Sequence, residues 1–590
     1  MRAVLDGRDS VLVLPTGGGK SLCFQAPALV MAPRQDRGPD GARQGFALVV
    51  SPLIALMKDQ VDGLRADGVS AAFLNSTQSS DERDAVLASL REDRCRLLYV
   101  SPERLVGEGS QGFRRMLQQA GVRFIAIDEA HCISQWRHDF RTEYRQLGRL
   151  RDDFPGASFH AFTATATERV RGDIVSELRL SDPLVLVGSF DRPNLVYRVL
   201  RRGNLHKQLQ HVLARHEDEA GIIYCTSRRE VESLAEWLRG EGHRAVPYHA
   251  GLRDDVRASH QEDFIDERVD IVVATVAFGM GIDRSNVRFV VHAGSPRSPE
   301  HYQQESGRAG RDGLAAECVL IYSGSDFVRW RQMLESNGEW TDSAHELLRD
   351  MHRYAAGTRC RHRALVEYFG EPYEREGCGG CDWCLKELDH VPDSTTVARK
   401  VLSCVARVKD ARGSGYITDI LLGRSSEKVL AAGHDALSTF GLLKDEGPAS
   451  IRGYIEQLVA DGLLIREGDA YPVLRLSASG RELLKGGGVC VLYRERQPAK
   501  SRVRLRDQGG ATSRLDPELF DLLRGVRLAL ARKRGVPPYV IFHDTTLREM
   551  ADRRPSTIDD LHQIYGVGAK KAADFGDAFL DAIRAFRTPA

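Results

Sequence analysis

Val11–Leu14, a short β-branched and apolar run, leads straight into Pro15-Thr16-Gly17-Gly18-Gly19-Lys20-Ser21 and then into an apolar helical stretch. Few folds accommodate that order. Consecutive glycines let backbone N–H groups curl around an anion, and the helix that follows points its own free N–H groups at the same place. Such a strand is buried in a parallel sheet with helices packed on it. The chain up to about residue 345 agrees. Phe46–Val50, Arg96–Val100, Phe124–Ile127, Gly221–Cys225, Ile271–Ala274 and Phe289–His292 also read as buried strands, separated by longer amphipathic stretches. That is too many strands for one mononucleotide-binding sheet, so two α/β domains are expected, dividing near 190–205 at Ser189-Phe190-Asp191-Arg192-Pro193-Asn194.

At 590 residues there is room for roughly four domains of about 150 residues. Hydrophobic residues make up 42% and charged residues 28%, which excludes a largely disordered chain. Lys and Arg total 83 against 82 Asp and Glu, a net charge of +1. The average therefore neither advertises nor excludes a nucleic-acid partner, because a binder needs only a local basic track. No run of about 18 apolar residues occurs, so no membrane partner is expected. Met1–Ser10 is charged and lacks the apolar core of a secretory signal. Most of the 11 Cys are scattered singly, which suits the reducing cytoplasm.

The expected organisation is one α/β domain over 1–190, a second over 191–345, a helical Cys-rich segment over 346–391 and a small mixed domain over 392–487. A basic linker over 488–513 and a small all-α domain over 514–590 complete it. The linker carries Arg494, Arg496, Lys500, Arg502, Arg504 and Arg506 against Glu495 and Asp507. Gly462–Glu467 and Tyr471–Leu476, around Gly468-Asp469, read as a β-hairpin. The stretch 33–45 reads as a surface loop.

In the phosphate-loop reading, Thr16, Gly17, Gly18 and Gly19 cradle the phosphates, Lys20 reaches the β/γ phosphates and Ser21 ligates Mg²⁺. Leu14 stands where the general pattern has its first Gly. Phe124–Ile127 delivers Asp128 to the Mg²⁺ side of the nucleotide and Glu129 to the attacking water, with Ala130-His131 following. Adjacent acids at a strand end also suit a solvated loop, but the phosphate loop upstream makes the pair an NTP-hydrolysis centre. In Gln304-Glu305-Ser306-Gly307-Arg308-Ala309-Gly310-Arg311-Asp312, Arg308 and Arg311 read as one helix face aimed at a γ-phosphate across an interdomain cleft, or else as a solvated basic face. Ala274–Asp283, Gly-rich after a strand, suits close backbone approach to a ligand. Thr163-Ala164-Thr165-Ala166-Thr167 reads either as hydroxyls linking nucleotide state to domain closure or as a capped turn.

Cys360, Cys378, Cys381 and Cys384 form a different kind of cluster. Two CxxC steps and one distant Cys make a tetrahedral thiolate set suited to Zn²⁺. Four thiolates leave no open position, so one structural zinc is expected and no catalytic one.

Asp128-Glu129-Ala130-His131-Cys132-Ile133-Ser134-Gln135-Trp136, with His138-Asp139-Phe140-Arg141, resembles the signature of the RecQ family of DNA helicases. Ser189–Leu195 and the Gln304–Gly313 segment are similar to that family too, and the resemblance runs along nearly the whole chain. It implies an ATP-dependent 3′→5′ DNA helicase acting on forked or recombination-intermediate DNA in repair and recombination. The implied architecture is two RecA-like motors, a zinc knuckle, a winged helix whose Gly468-Asp469 hairpin is the wing, and a helicase-and-RNase-D C-terminal module. Carried over residue by residue, it implies His131 in the catalytic group and Asp283 at the nucleotide. It implies DNA contacts from Ser51, Lys58, Trp136, Arg137, Phe140, Arg141, His434, Ser438, Lys570 and Lys571. The aromatic-rich loop Ser134–Phe140 would couple single-strand binding to hydrolysis, and Trp136 and Phe140 do offer stacking faces, though core aromatics would look the same in sequence. The winged helix would serve duplex DNA or a single-stranded-DNA-binding protein, and Gly566-Val567-Gly568 before Lys570 and Lys571 a phosphate or a protein.

Two departures stand out. Arg137 replaces the family's usual Gly. The aromatic-and-Gln segment that grips adenine is not found between Met1 and the first strand. Adenine selectivity is therefore expected to depend on residues upstream of Met1 or to be reduced. An RNA remodeller, or a DNA-binding protein with an impaired motor, remains open on these grounds.

Overall fold

A computed structural model of the chain describes residues 1–15, 17–31, 44–52, 54–75, 78–134, 142–279, 284–408, 412–468, 472–495 and 516–587. The first motor domain is built on β1 (Ser10–Val13), β2 (Phe46–Val50), β3 (Ala71–Leu74), β4 (Leu97–Val100), β5 (Val122–Ile127), β6 (Ser158–Thr163) and β7 (Leu184–Val187). These form one parallel sheet in the order β3-β4-β2-β5-β6-β1-β7. The second motor uses β8 (Leu195–Arg201), β9 (Ala220–Tyr224), β10 (Ala245–Tyr248), β11 (Ile271–Ala274), β12 (Val287–His292) and β13 (Ala316–Tyr322). These are also all parallel, ordered β10-β11-β9-β12-β13-β8. Consecutive strands β1 and β2 are separated in the sheet by β5 and β6. The loops after β1, β5 and β6 therefore open side by side at the carboxyl edge, where ligands bind in such sheets.

The seven sequence-predicted strands are present, each within a residue or two of its expected ends, and the sheets add six more. Several of the additional strands hide behind polar residues. In β6, buried His160 hydrogen-bonds Ser10 Oγ and Ser158 Oγ, each at 2.8 Å, and burial lowers its pKa to about 4. In β13, Glu317 is fully buried, yet His216 Nε2 at 2.7 Å, Arg198 Nη1 of β8 at 2.8 Å and Arg215 Nη2 at 2.6 Å hold it ionised, far below the usual carboxylate range. These charges break the apolar pattern that marks a buried strand but are satisfied once the sheet assembles. The edge strand β7 is mostly exposed, so no burial pattern singles it out.

After the second sheet come the helices Gly324–Ser336, Asp342–Ala356 and Arg361–Tyr368. The cysteine loop that follows seals the open edge of β8: Tyr197 N–H donates to the Gly380 carbonyl at 3.1 Å, and Asp382 N–H to the Tyr197 carbonyl at 3.0 Å. Asp382 is itself clamped by Arg361 at 2.8 Å, both side chains being buried. A covered edge cannot template pairing with another chain.

The winged-helix part packs Ser394–Arg407, Ser414–Leu422 and Pro448–Ala460 around one core, with the hairpin Leu464–Glu467/Val473–Leu476 antiparallel beside them. Its tip, 469–471, lies outside the described residues, as does the expected loop at 33–43. The basic linker starts later than expected. Tyr493–Glu495 is a strand paired antiparallel with Leu388–His390, and Gln457 anchors Tyr493 through both its backbone N–H and its carbonyl. Residues 496–513 lie outside the described residues.

The C-terminal helical module is built on Pro517–Arg534, Asp544–Arg553 and Ala569–Arg587. Its buried Arg527 donates to Asp544 Oδ1 at 2.6 Å within the module and to Glu267 Oε1 of the second motor at 2.9 Å. No helix among the described residues is long and apolar enough to cross a membrane.

The winged helix is fastened to the motor side through Glu456. Its carboxylate meets His352 Nε2 at 2.9 Å and Arg466 of the hairpin. Burial pushes the carboxyl up, but Arg466 and His352 outweigh it and bring its pKa down to about 2. A depressed carboxylate stabilises fully above its ordinary value and loses that contribution as pH falls through its folded value. Glu456→Gln should therefore destabilise the protein by about 1–3 kcal/mol at neutral pH. The gap between variant and wild type, read as melting temperature, should narrow as pH falls from 4.5 toward 2. A gap that stays constant with pH would show that the carboxylate charge is not what holds this joint.

Candidate nucleotide site and zinc centre

The phosphate loop leaves β1 with Gly17 at φ +82° and Gly19 at φ +78°, both in the left-handed region that glycine enters without strain. A Cβ on Gly18 would lie 2.9 Å from the Pro15 carbonyl, so no side chain fits there either. Lys20 Nζ donates to the Leu14 carbonyl at 3.2 Å, which curls the lysine back over its own loop. Burial lowers the Lys20 pKa, Glu129 and Asp128 pull it up, and Arg311 pushes it down. That combination brings the lysine, both acids and an arginine of the second motor into one cleft. The Arg311 carbonyl lies 3.5 Å from where a Cβ on Gly17 would sit, so the second motor meets the phosphate loop directly. Ser21 stands at the N-terminus of the following helix without a side-chain capping bond, and its Oγ accepts from Gln60 Nε2 at 3.2 Å.

Asp128 follows β5 and is buried, with Glu129 N–H donating to its Oδ1 at 2.9 Å. Burial raises its pKa to about 7, Glu129 adds to the rise, and Lys20 offsets only part of it. An oxygen donor held at such a cost suits a divalent cation, which would favour the ionised form. The donor chemistry at Asp128 thus fits Mg²⁺. Glu129 adopts φ +47°, rare for a residue with a side chain and typical of functional turns.

His131 is fully buried, its Nδ1 2.8 Å from Thr163 Oγ1 and 3.2 Å from Glu129 Oε2. Thr165 N–H donates to Thr163 Oγ1 at 3.3 Å. The Thr163 hydroxyl thus ties the catalytic turn to the end of β6, while its bonds to Thr165 are those of a local turn before the helix that Thr167 begins. Thr163 itself ends β6.

One expectation needs correction. Arg308 and Arg311 do not share a helix face, because the helix ends at Ser306 and both lie on the turn that follows, which Gly310 closes at φ +56°. The Arg311 backbone abuts Gly17 of the phosphate loop, whereas Arg308 is buried in the second motor, its Nη2 3.3 Å from where a Cβ on Gly279 would sit, and both charges act on the Tyr224 phenol. Two glycines ending the helix were the sequence signal that separates them. Sequence reading also missed Tyr144, whose hydroxyl donates to the Asp128 carbonyl at 2.9 Å, and Arg192 and Asn194, which hold the arginine turn. A lone Tyr inside a polar helix gives no advance sign of such a role.

Thr16, Trp136, Arg137, Phe140, Arg141 and Asp283 lie outside the described residues. Ser51 is buried at the end of β2 and presents no surface to DNA in this arrangement, whereas Lys58 on Ile54–Ala66 is exposed. Ser438 is exposed and His434 half-buried, its Nδ1 2.7 Å from Tyr416 OH. Lys570 is exposed at the start of Ala569–Arg587. Lys571 is partly buried over the Phe542 ring and faces Asp67 of the first motor.

The Sγ atoms of Cys360, Cys378, Cys381 and Cys384 lie within 4.8 Å of one another. Backbone N–H groups point at them: Cys378 N to Cys384 Sγ at 3.4 Å, Gly380 N to Cys378 Sγ at 3.3 Å and Cys384 N to Cys381 Sγ at 3.5 Å. Four converging sulfurs with N–H groups ready to offset negative charge fit a closed zinc site.

Two parallel sheets, a phosphate loop and acid pair on one and an arginine turn on the other, define a nucleotide-driven motor of the helicase type. Known families match in the same order: DEAD/DEAH box helicase over residues 1–172, helicase conserved C-terminal domain over 204–313, RecQ zinc-binding over 324–385, RQC domain over 389–501 and HRDC domain over 516–583. The ATP-dependent DNA helicases RecQ of Haemophilus influenzae and Bacillus subtilis are each 40% identical over 99% of this chain, covering 92% and 95% of their own lengths. The ATP-dependent helicase SGS1 of Saccharomyces cerevisiae is 32% identical over 82% of this chain and 34% of its own. The chain belongs to the RecQ family of DNA helicases.

The purified protein should carry one zinc per chain, and Cys381→Ser should lose it, since zinc-site free energy is folding free energy. Gly380 and Asp382 pair with Tyr197. Amide exchange should therefore quicken along β8 in that variant before it quickens in the phosphate loop. Metal analysis finding no zinc in unchelated protein would remove the centre.

Proposed function

We propose that this RecQ-family enzyme is an ATP-dependent 3′→5′ DNA helicase that opens forked and recombination-intermediate duplexes in repair and recombination. The observation that carries this reading is the convergence of Lys20, Asp128 and Glu129 from the first motor with Arg311 from the second. Lys20 and the loop N–H groups bind the β/γ phosphates of ATP. Asp128 and Ser21 would hold Mg²⁺, whose charge would offset that of the same phosphates. Glu129 orients water and takes its proton, and His131, itself held by Thr163 at the end of β6, positions that carboxylate. Arg311 balances charge developing on the transferred phosphoryl. The contact between Arg311 and the phosphate loop exists only while the motors are closed, so product release favours opening. Cycles of closure move the enzyme along one strand while the hairpin at 464–476 parts the duplex.

The single-stranded track includes the loop Ser134–Phe140. Its flanks support the coupling role: Ser134 Oγ donates to Asp173 at 2.6 Å on one side, and on the other Tyr144 holds the Asp128 carbonyl. A displacement of Tyr144 would thus be felt at the acid pair. The winged helix, around His434 and Ser438, takes duplex DNA and a single-stranded-DNA-binding protein, and Lys570 adds a backbone contact. The enzyme works in the cytoplasm with the nucleoid.

Lys20→Ala should abolish ATP hydrolysis and fork unwinding while leaving DNA binding within about 3-fold, because Lys20 serves phosphates of the nucleotide. Glu129→Gln should still bind ATP and turn over at least about 100-fold more slowly. Near-normal unwinding by either variant would refute the nucleotide site.

Trp136→Ala tests the coupling. Stacking is worth about 1–3 kcal/mol per base, whereas phosphate contacts supply most of the affinity. The variant should bind single-stranded DNA only modestly more weakly yet lose nearly all DNA stimulation of the ATPase. A normal response of ATPase rate to DNA concentration would return Trp136 to a packing role.

A further inference from the structure

The segment joining the two motors makes contacts that the nucleotide chemistry above does not use. The Arg192 guanidinium lies inside the arginine turn, with Nη1 donating to the Gly307 carbonyl at 3.4 Å and Nη2 to the Ala309 and Gly310 carbonyls at 3.1 and 2.9 Å. Asn194 Nδ2 donates to the Gly310 and Leu314 carbonyls, each at 2.9 Å, and its Oδ1 accepts from Arg192 Nε at 3.4 Å. Carbonyls of a turn that lies beyond a helix end have no helical ladder to bond and usually turn to water. Here hinge side chains take them, one being a cation whose hydrogen bonds are stronger than neutral ones. The turn is also moulded on Asn194: a Cβ on Gly310 would lie 2.5 Å from its Nδ2 and 2.7 Å from the Leu314 carbonyl.

The other end of the same hinge is anchored elsewhere. Glu371 accepts from Ser189 Oγ and from Phe190 N–H, both at 2.7 Å, and Asp191 Oδ1 lies 2.6 Å from His362 Nδ1. The Phe190 ring stacks on Phe369 at 4.5 Å and 15°, and both rings belong to the apolar core of the first motor. Six residues thus run from this anchor, where the helical segment before the zinc loop meets the first motor's core, to the turn of the second motor that bears Arg308 and Arg311.

We propose that Arg192 and Asn194 are positioning residues for ATP hydrolysis, holding the 307–314 turn so that Arg311 meets the phosphate loop at Gly17 when the motors close. Neither touches nucleotide. They act by setting where the turn stands relative to the hinge, so that a change in the angle between motors is delivered to Arg311 without slack. The inference rests on the nucleotide site proposed above, with Arg311 as its second-motor arginine.

The test is a mutant cycle on the full chain, read as kcat and KM for ATP at saturating single-stranded DNA, with binding of a non-hydrolysable fluorescent ATP analogue and melting temperature measured alongside. Arg192→Ala should lower kcat about 10- to 100-fold, the cost of misplacing a catalytic group by about 1 Å, with KM and analogue affinity within about 3-fold. Arg192→Lys, which cannot reach all three carbonyls, should fall between. Combined with Arg311→Ala, Arg192→Ala should add less than about 3-fold, because residues acting through one group are not additive. A loss in that background as large as in wild type, or an unchanged kcat in Arg192→Ala, overturns the proposal. Should Arg192→Ala fail to fold, Asn194→Asp keeps the shape and removes both donors, and the same readouts apply. If Arg311→Ala itself turns over like wild type, the assignment of Arg311 is what fails. If Arg311→Ala is crippled while the hinge variants are normal, only the positioning role fails.

Discussion

A nucleotide site divided between two sheets works only if the carboxyl edges of those sheets meet at a defined distance. Here that constraint is met where the Arg311 backbone abuts Gly17 of the phosphate loop. Much of the molecule serves this contact. Gly17 leaves room for the Arg311 backbone and Gly18 for the Pro15 carbonyl, and the acids beside Lys20 supply the charge that makes the cleft hospitable to a nucleotide and its cation. The rest of the chain then keeps two α/β bodies in a relation that can open and close without losing alignment.

The accessory parts are joined to the motors by buried polar contacts. Asp382, beside the thiolate cluster, is gripped by Arg361 and accepts from Val199 N–H of β8, so the zinc-binding loop becomes an extension of the second sheet. Glu456 reaches from the winged helix to His352, and Arg527 from the C-terminal module to Glu267. Buried charges of this kind are costly unless paired, and breaking one partner of a pair costs far more than the pair contributes. They therefore act as specific joints: each permits one docking geometry and penalises sliding.

The elements that sequence reading recognised share a property. The phosphate loop, the acid pair and the cysteine cluster each concentrate their chemistry within a few consecutive residues, so local spacing carries the information. The strands it found carry unbroken apolar runs of three or more residues and are largely buried on both faces. β6, β8 and β13 escaped because His160, Arg198 and Glu317 interrupt them, and those residues become tolerable only through partners 100 or more positions away or on a neighbouring strand. Arg308 and Arg311 were legible as a pair but not as turn residues, because helix periodicity was extended across Gly307 and Gly310.

By itself, the sequence determined the class of fold, the order of its parts, the phosphate loop with its acids, the four zinc ligands and the family. All are decided by residue type at short spacing, where backbone geometry leaves little freedom. Tertiary structure alone decided that the Arg311 backbone meets the phosphate loop, that His131 joins the catalytic turn to Thr163 at the end of β6, and that Arg192 and Asn194 hold the arginine turn from the hinge. Those relations depend on how two sheets and a connecting strand approach one another. Side chains more than 100 positions apart, such as Arg192 and Gly310, come into hydrogen-bond range only after that packing has taken place.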